Sequence, residues 1–212
     1  MNDEAPQSGW RVIAIERALN DMYSALVALV VINVCWLLLS LTIILMPPAT
    51  AGLYAVAVQA RRGQGPYLRD YLAAVRRYLL PGWAWGVVTL ALAFVCGYAI
   101  AFYSSVQAWW GSALLTVSVA LTLVACLVQF YVWPYMVLQE QPRLLLAARN
   151  ALFTLLGDPW HVLFNVAIAL FITIPGMLLI APFILIVPVC VAYLGTYSLY
   201  GWLAHHGQFG RQ

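Results

Sequence analysis

The longest uncharged stretch of the sequence includes all of Gly82 to Gln139, where there is no Asp, Glu, Lys or Arg. A second such stretch, from Trp160 to Trp202, contains a single histidine and no other charged residue. Each is long enough for two membrane-spanning helices, because one crossing needs about 20 apolar residues. A soluble domain would need roughly 25 % charged residues to cover its surface, whereas this chain has 8 %. The sequence therefore predicts an all-α, polytopic membrane protein.

The apolar runs predict about six transmembrane helices in a single domain that covers residues 1–212. The expected spans are 22–45, 48–61, 83–103, 113–138, 160–180 and 183–203. Amphipathic helices on the membrane surface are expected at residues 10–21, 67–80 and 143–156, where apolar positions recur at helical spacing. For residues 10–21, a helix that continues into the first span is an equally good alternative.

The short span at residues 48–61 follows two consecutive prolines, Pro47 and Pro48. Proline lacks a backbone N–H and clashes with a preceding helical turn, so a helix that arrives from Met22 must end before the pair. Pro48 suits the first position of a new helix. That helix is only about 22 Å long at 1.5 Å per residue, less than the roughly 30 Å of a hydrocarbon core. Either its proline turn is sunk below the membrane surface or the helix is re-entrant.

The distribution of arginine predicts the orientation, because all ten basic residues are arginines. Most lie in the polar segments around 61–77 and 143–149, and the positive-inside rule places these segments in the cytoplasm. If the short helix crosses fully, Arg11, Arg17 and Arg211 are cytoplasmic as well. Six crossings with both termini in the cytoplasm are therefore expected, since five crossings would leave Arg11 and Arg17 outside.

The start of the short helix, with Pro48, Thr50 and the neighbouring Asn33, is the first candidate site. A helix that begins within the bilayer exposes unpaired N–H groups and the positive end of its dipole, as in transporters with discontinuous helices. A small polar ligand could bind there. The alternative is that the turn is architectural and that Asn33 forms a hydrogen bond between packed helices.

Arg69, Arg76 and Arg77 form the second candidate site, because they lie opposite the apolar positions of the amphipathic segment 67–80. Contact with anionic lipid headgroups is the first interpretation. Docking onto a partner protein is the second, and exposed tyrosines beside the arginines would favour it. The modest net charge of +3 argues against nucleic-acid binding.

The remaining polar residues do not predict a catalytic, metal or cofactor site. The four cysteines lie far apart in apolar runs, with no spacing typical of a disulfide framework or zinc site. His161 is expected at the membrane interface and His205–His206 in a solvated tail. Gln59, Gln129 and Asn165 could line a shared polar cavity or form interhelical hydrogen bonds. Apart from Arg61 at the end of the short span, no charged residue falls inside a predicted span, which argues against a proton- or ion-coupled carrier.

Several short motifs resemble the YesL-like family of small bacterial membrane proteins, whose biochemical function is not established. They are Asn33-Val34-Cys35-Trp36-Leu37-Leu38, Pro48-Ala49-Thr50 followed by Leu53-Tyr54, and Asp70-Tyr71-Leu72 with Val75-Arg76-Arg77-Tyr78. The family often has glycine where this chain has Pro47. The resemblance implies a multi-span protein of the bacterial cytoplasmic membrane, often associated with carbohydrate uptake, and it supplies no mechanism.

The resulting expectation is a non-enzymatic accessory or interaction subunit associated with carbohydrate uptake. Its partners would be the lipid bilayer and a membrane transporter or a second copy of the chain. Two alternatives remain. One is a small-solute-binding or channel-like transport protein that uses the short-helix site, and the other is a structural subunit of a larger membrane complex.

Overall fold

The structure is a computed structural model that describes residues 10–206, apart from the side chain of Arg11. Over this part of the chain the backbone forms α-helices and no β-strand. In chain order the helices are α1 (Trp10–Ser24), α2 (Leu26–Ser40), α3 (Met46–Arg61), α4 (Leu68–Arg77), α5 (Leu79–Ser104), α6 (Trp109–Leu138), α7 (Leu144–Gly157), α8 (Pro159–Leu179), α9 (Ala181–Leu185) and α10 (Val187–His205). The predicted all-α fold is confirmed for these residues. The predicted orientation also uses Arg11 and Arg211. Arg211 and the side chain of Arg11 lie outside the described part.

Three helices, α5, α6 and α8, are long and apolar enough to cross a membrane. Helices α1 and α2 qualify only as a pair, and the pair is bent by 89° at its break. The described residues thus contain three candidate spans, or four if the bent pair is counted. This supports a helical membrane protein, and it does not show the predicted six crossings.

The first predicted span, residues 22–45, is divided in two places. Its start belongs to α1, and the 89° bend to α2 favours a separate first helix over a continuous one. Its last residues, 41–45, form turns instead of helix. Within these turns the Thr42 hydroxyl donates to the carbonyl of Leu39 and accepts from the N–H of Leu45, at 2.6 and 3.2 Å. The chain thus leaves the helical path five residues before the prolines and starts α3 with Pro47 in its first turn.

The start of α5 and the ends of α6 and α10 lie at one end of the helix bundle. Tyr78, just before α5, donates its hydroxyl hydrogen to the carbonyl of Val137 near the end of α6. Leu138 and Leu203, close to the ends of α6 and α10, line a cleft together with Arg62. We call this region, from the first turns of α5 to the last turns of α6 and α10 around Arg62, the charged end.

The C-terminus of α3 lies at the charged end, because it leads directly into Arg62. Its N-terminus packs against α5. A Cβ atom added to Gly82 would lie 3.0 Å from the backbone nitrogen of Pro48, and one added to Gly86 would lie 3.0 Å from Cγ of Pro47. Glycines spaced four apart allow this close backbone approach. Helix α3 therefore starts against the backbone of α5 and ends at the charged end.

The outer parts of α5 and α6 pack mainly on each other and expose large apolar side chains. Leu90 and Phe94 of α5 are 72 and 73 % exposed, and Leu121 of α6 is 61 % exposed. Helices satisfy their own backbone hydrogen bonds, so such surfaces are suited to hydrocarbon and not to water. The core of the chain lies elsewhere, around α3 and the buried residues of α10.

Candidate functional site

Helix α4 carries its arginines on the surface of the protein, as predicted from its amphipathic pattern. Arg69, Arg76 and Arg77 are exposed. Arg77 donates a hydrogen bond of 2.8 Å to the carbonyl of Glu140, which links α4 to the connection between α6 and α7. Arg69 and Arg76 form no hydrogen bond or ion pair with the residues that the structure describes. Their guanidinium groups are therefore available to an external ligand.

The tyrosines of α4 are not part of this exposed surface, contrary to the expectation. Tyr71 is 0 % and Tyr78 is 3 % exposed, whereas Tyr67 before the helix is 66 % exposed. The Tyr71 hydroxyl donates to the carbonyl of Ala49 at 3.3 Å and so fastens α4 to α3. Burial raises the pKa of Tyr78, while Arg77 and Arg62 act in the opposite direction. Tyr71 and Tyr78 continue the apolar face of α4. Their rings pack into the protein and their hydroxyl groups donate to backbone carbonyls.

The start of α3 has no free backbone donor, although the sequence suggested one. The N–H of Met46 bonds to the carbonyl of Ile43, and that of Ala49 bonds to Leu45. Pro47 and Pro48 have no N–H to offer. The Thr50 hydroxyl donates to the carbonyl of Met46 at 2.9 Å and accepts from Nε1 of Trp36 at 3.2 Å. These contacts favour the architectural interpretation of the turn, and ligand binding there stays a prediction.

Asn33 is fully buried. It forms hydrogen bonds with backbone groups on both sides of the helix break between α9 and α10. Its Nδ2 donates to the carbonyls of Phe183 and Ile184, at 3.3 and 2.7 Å. Its Oδ1 accepts from the N–H of Val189 at 3.1 Å. One amide therefore pairs backbone groups that a broken helix leaves without internal partners. No hydrogen bond joins Asn33 to Thr50 among the contacts of the described residues.

A buried polar cluster joins α6, α8 and α10 through Tyr131, His161, Asn165 and Ser198. The hydroxyl of Tyr131 lies 2.6 Å from Oγ of Ser198 and 3.1 Å from Nε2 of His161. Ser198 Oγ is 3.0 Å from the same Nε2. His161 is 1 % exposed and is therefore surrounded by protein, while its expected place at the membrane interface stays a prediction.

The geometry of the cluster assigns the protons of His161. Nδ2 of Asn165 donates to the carbonyl of His161 at 2.8 Å, which fixes the nitrogen side of the amide. The same nitrogen lies 3.2 Å from Nδ1 of the ring, so Nδ1 is the acceptor and Nε2 carries the hydrogen. In this tautomer Nε2 donates towards Ser198 or Tyr131. The cluster thereby joins three helices through side-chain hydrogen bonds.

Sequence reasoning missed this cluster, although part of it has a local signal. His161 and Asn165 are four residues apart and so share one face of a helix. Their partners in α6 and α10 are 30 or more residues away, and no pattern in the chain points to them. Of the other amides, Gln129 donates to Thr89 of α5 at 3.1 Å, an interhelical bond. Gln59 lines a different cleft, so the three predicted amides do not share one cavity.

Three clefts at the charged end bring together arginines from distant parts of the sequence. The first, of about 290 Å³, is lined by Arg17 and Arg61, with Arg61 placed 5.7 Å from the ring centres of Tyr197 and Tyr200. The second, of about 790 Å³, contains Arg62, Arg143 and Arg149. The third, of about 210 Å³, is lined by Arg62 and Arg77. Within the described residues no group of three His, Cys, Asp or Glu could hold a metal ion.

Comparison with known proteins gives one match, which covers about a third of the chain. The model of the family described as "Protein of unknown function, DUF624" matches residues 29–100. This range contains Asn33, the proline turn and all of α4, and it ends inside α5. No curated protein and no solved structure matches the chain. Over residues 29–100 the chain is therefore similar to a family whose function is unknown.

Proposed function

We propose that this chain is a non-enzymatic accessory or interaction subunit of the bacterial cytoplasmic membrane, and that α4 is its docking helix. The observation that carries the proposal is the division of α4 into two faces. Its inner face is fixed to the bundle through buried Tyr71, while Arg69 and Arg76 are exposed and lack partners among the described residues. A rigid helix that presents unpaired arginines is suited to an acidic surface, because electrostatic complementarity guides association.

The partner that we propose is a membrane transporter or a second copy of the chain. Where no protein partner is bound, the same arginines contact anionic lipid headgroups. The link to carbohydrate uptake rests on the resemblance to the YesL-like family alone. The alternative of a solute-binding or channel-like protein has less support, because the polar groups of Asn33 and Thr50 are used within the chain. A structural subunit of a larger complex would use the same exposed arginines.

We further propose four crossings with a re-entrant segment, in place of six. Helix α5 leaves the charged end and α6 returns to it, and α8 and α10 repeat this path. Six crossings would require α2 and α3 each to span the membrane, whereas they have 15 and 16 residues, fewer than the roughly 20 that one crossing needs. The positive-inside rule places this arginine-rich end in the cytoplasm. With an even number of crossings, both termini are then cytoplasmic.

The test of the docking helix is purification of the full chain from its native membrane in a mild detergent. Replacing Arg69, Arg76 and Arg77 together by glutamine should remove the proteins that co-purify with the parent. The matched control replaces the same three residues by lysine, which keeps the charge and should retain those proteins at a reduced level, since lysine lacks the planar fork of arginine.

Two outcomes would count against this proposal. If the glutamine variant folds and retains the same co-purifying proteins as the parent, the arginines of α4 do not form the docking surface. If the parent runs alone and a small solute raises its melting temperature, the transport alternative is favoured.

A further inference from the structure

The largest cleft at the charged end is rich in hydrogen-bond donors and positive charge. Its three arginines come from three places: Arg62 follows α3, Arg143 precedes α7, and Arg149 lies within α7. None of them forms an ion pair with any residue that the structure describes. Among the described residues that line it, Glu140 is the only acidic one. Three guanidinium groups against one carboxylate leave the cleft with a net positive charge.

Neutral donors in the walls of the cleft add to this preference for an anion. Helix α7 begins without a side-chain cap, so its first N–H groups and the positive end of its dipole face the region around Arg143. Gln139 accepts the N–H of Arg143 with its Oε1 at 2.8 Å. This bond fixes the backbone at the start of α7 beside the cleft.

We propose that this cleft binds a phosphate-bearing anion. Arginine presents a planar fork of N–H donors that matches phosphate oxygens, and several arginines around one cleft can contact several of these oxygens at once. Arg149 is held in place over the ring of Phe153, with Cζ 5.9 Å from the ring centre. The volume of about 790 Å³ accommodates a lipid headgroup or a small phosphorylated compound. Arg69 and Arg76 of α4 do not line this cleft, whereas Arg77 contacts its wall through the carbonyl of Glu140.

The experiment measures the melting temperature of the purified full chain in an uncharged detergent, followed by tryptophan fluorescence. The probes are short-chain phosphatidylglycerol, with phosphatidylcholine as its uncharged counterpart, and inorganic pyrophosphate, with sodium chloride at equal ionic strength. A ligand that binds only the folded state raises the melting temperature in a concentration-dependent way. Replacing Arg143 and Arg149 by glutamine should raise the probe concentration that gives half of the maximal rise in melting temperature about tenfold or more.

The matched control is the double replacement of Arg69 and Arg76 by glutamine, which removes the same charge outside the cleft and should leave the effect unchanged. If the cleft variant does not fold, Arg62→Gln serves in its place. Stabilisation by phosphatidylglycerol alone assigns a lipid headgroup, and by pyrophosphate alone a soluble phosphorylated compound. Stabilisation by both shows that the phosphate group suffices. The proposal is overturned if neither probe raises the melting temperature of the parent. It is also overturned if the control variant loses as much of this rise as the cleft variant does.

Discussion

At the scale of single residues, Asn33 shows how one side chain replaces missing backbone hydrogen bonds. The break between α9 and α10 leaves carbonyl and N–H groups in a buried region. Asn33 reaches them from α2, more than 150 residues earlier in the chain. The amide group has both donors and acceptors and can therefore serve both sides of the break. Thr50, by comparison, bonds within its own helix and to one side chain of α2.

We predict that Asn33→Leu lowers the stability of the folded protein by roughly 1–3 kcal/mol for each backbone group left unpaired. Thr50→Val should cost less, about 1 kcal/mol, because it removes one weak bond from Trp36 and keeps the shape of the side chain. Thermal unfolding in detergent measures both. Equal melting temperatures for the parent and Asn33→Leu would show that the break does not depend on this amide.

At the scale of elements, the position of α3 depends on two glycines of α5, which have no side chain to keep the helices apart. Gly82 and Gly86 let the proline turn approach the α5 backbone, which fixes the start of α3 against that helix. The turn before it, residues 41–45, exposes Leu41 and Ile43 at 70 and 76 %. Its Thr42 hydroxyl is internally bonded. An apolar turn with paired polar groups is suited to burial in lipid, as a re-entrant segment requires.

We predict that Gly82→Ala destabilises the protein by roughly 1–3 kcal/mol, because the new methyl group would meet the backbone of Pro48 and force the two helices apart. Gly97→Ala on the same helix is the control, since nothing lies within 4 Å of its added Cβ. The control should be neutral or slightly stabilising, because alanine favours helix over glycine. Similar melting temperatures for both variants would mean that α3 and α5 are not in close contact.

At the scale of the whole molecule, the polar and charged segments collect at one end while the apolar hairpins extend from it. Arginines that are far apart in sequence, such as Arg17, Arg62 and Arg149, line neighbouring clefts. The arginines in these clefts lie at one end of the described part, and a one-sided distribution of this kind is what the positive-inside rule uses to predict orientation.

We predict the outcome of cysteine labelling with an impermeant reagent in intact cells, after Cys35, Cys96, Cys126 and Cys190 have been replaced by alanine. A new cysteine at Ser105 should be labelled from outside, whereas cysteines at Gln64 and Gln141 should not. Gln64 is preferable to Gly63, whose φ of 77° favours glycine. A cysteine at Thr42 distinguishes the topologies. It stays unlabelled if α3 is re-entrant, and labelling from outside would restore the six-crossing topology.

The sequence by itself determined the class of protein, the main helix breaks and the exposed arginines of α4. These features follow from local properties, since long uncharged runs require lipid, prolines end helices, and charges at helical spacing share a face. Only the tertiary structure decided that α3 starts against the glycines of α5, that Asn33 serves the α9–α10 break and that His161 is buried. Each of these depends on contacts between residues far apart in the chain, and such contacts are selected by how whole helices pack. The same packing brings Arg62 beside Arg143 and Arg149 and so creates the cleft.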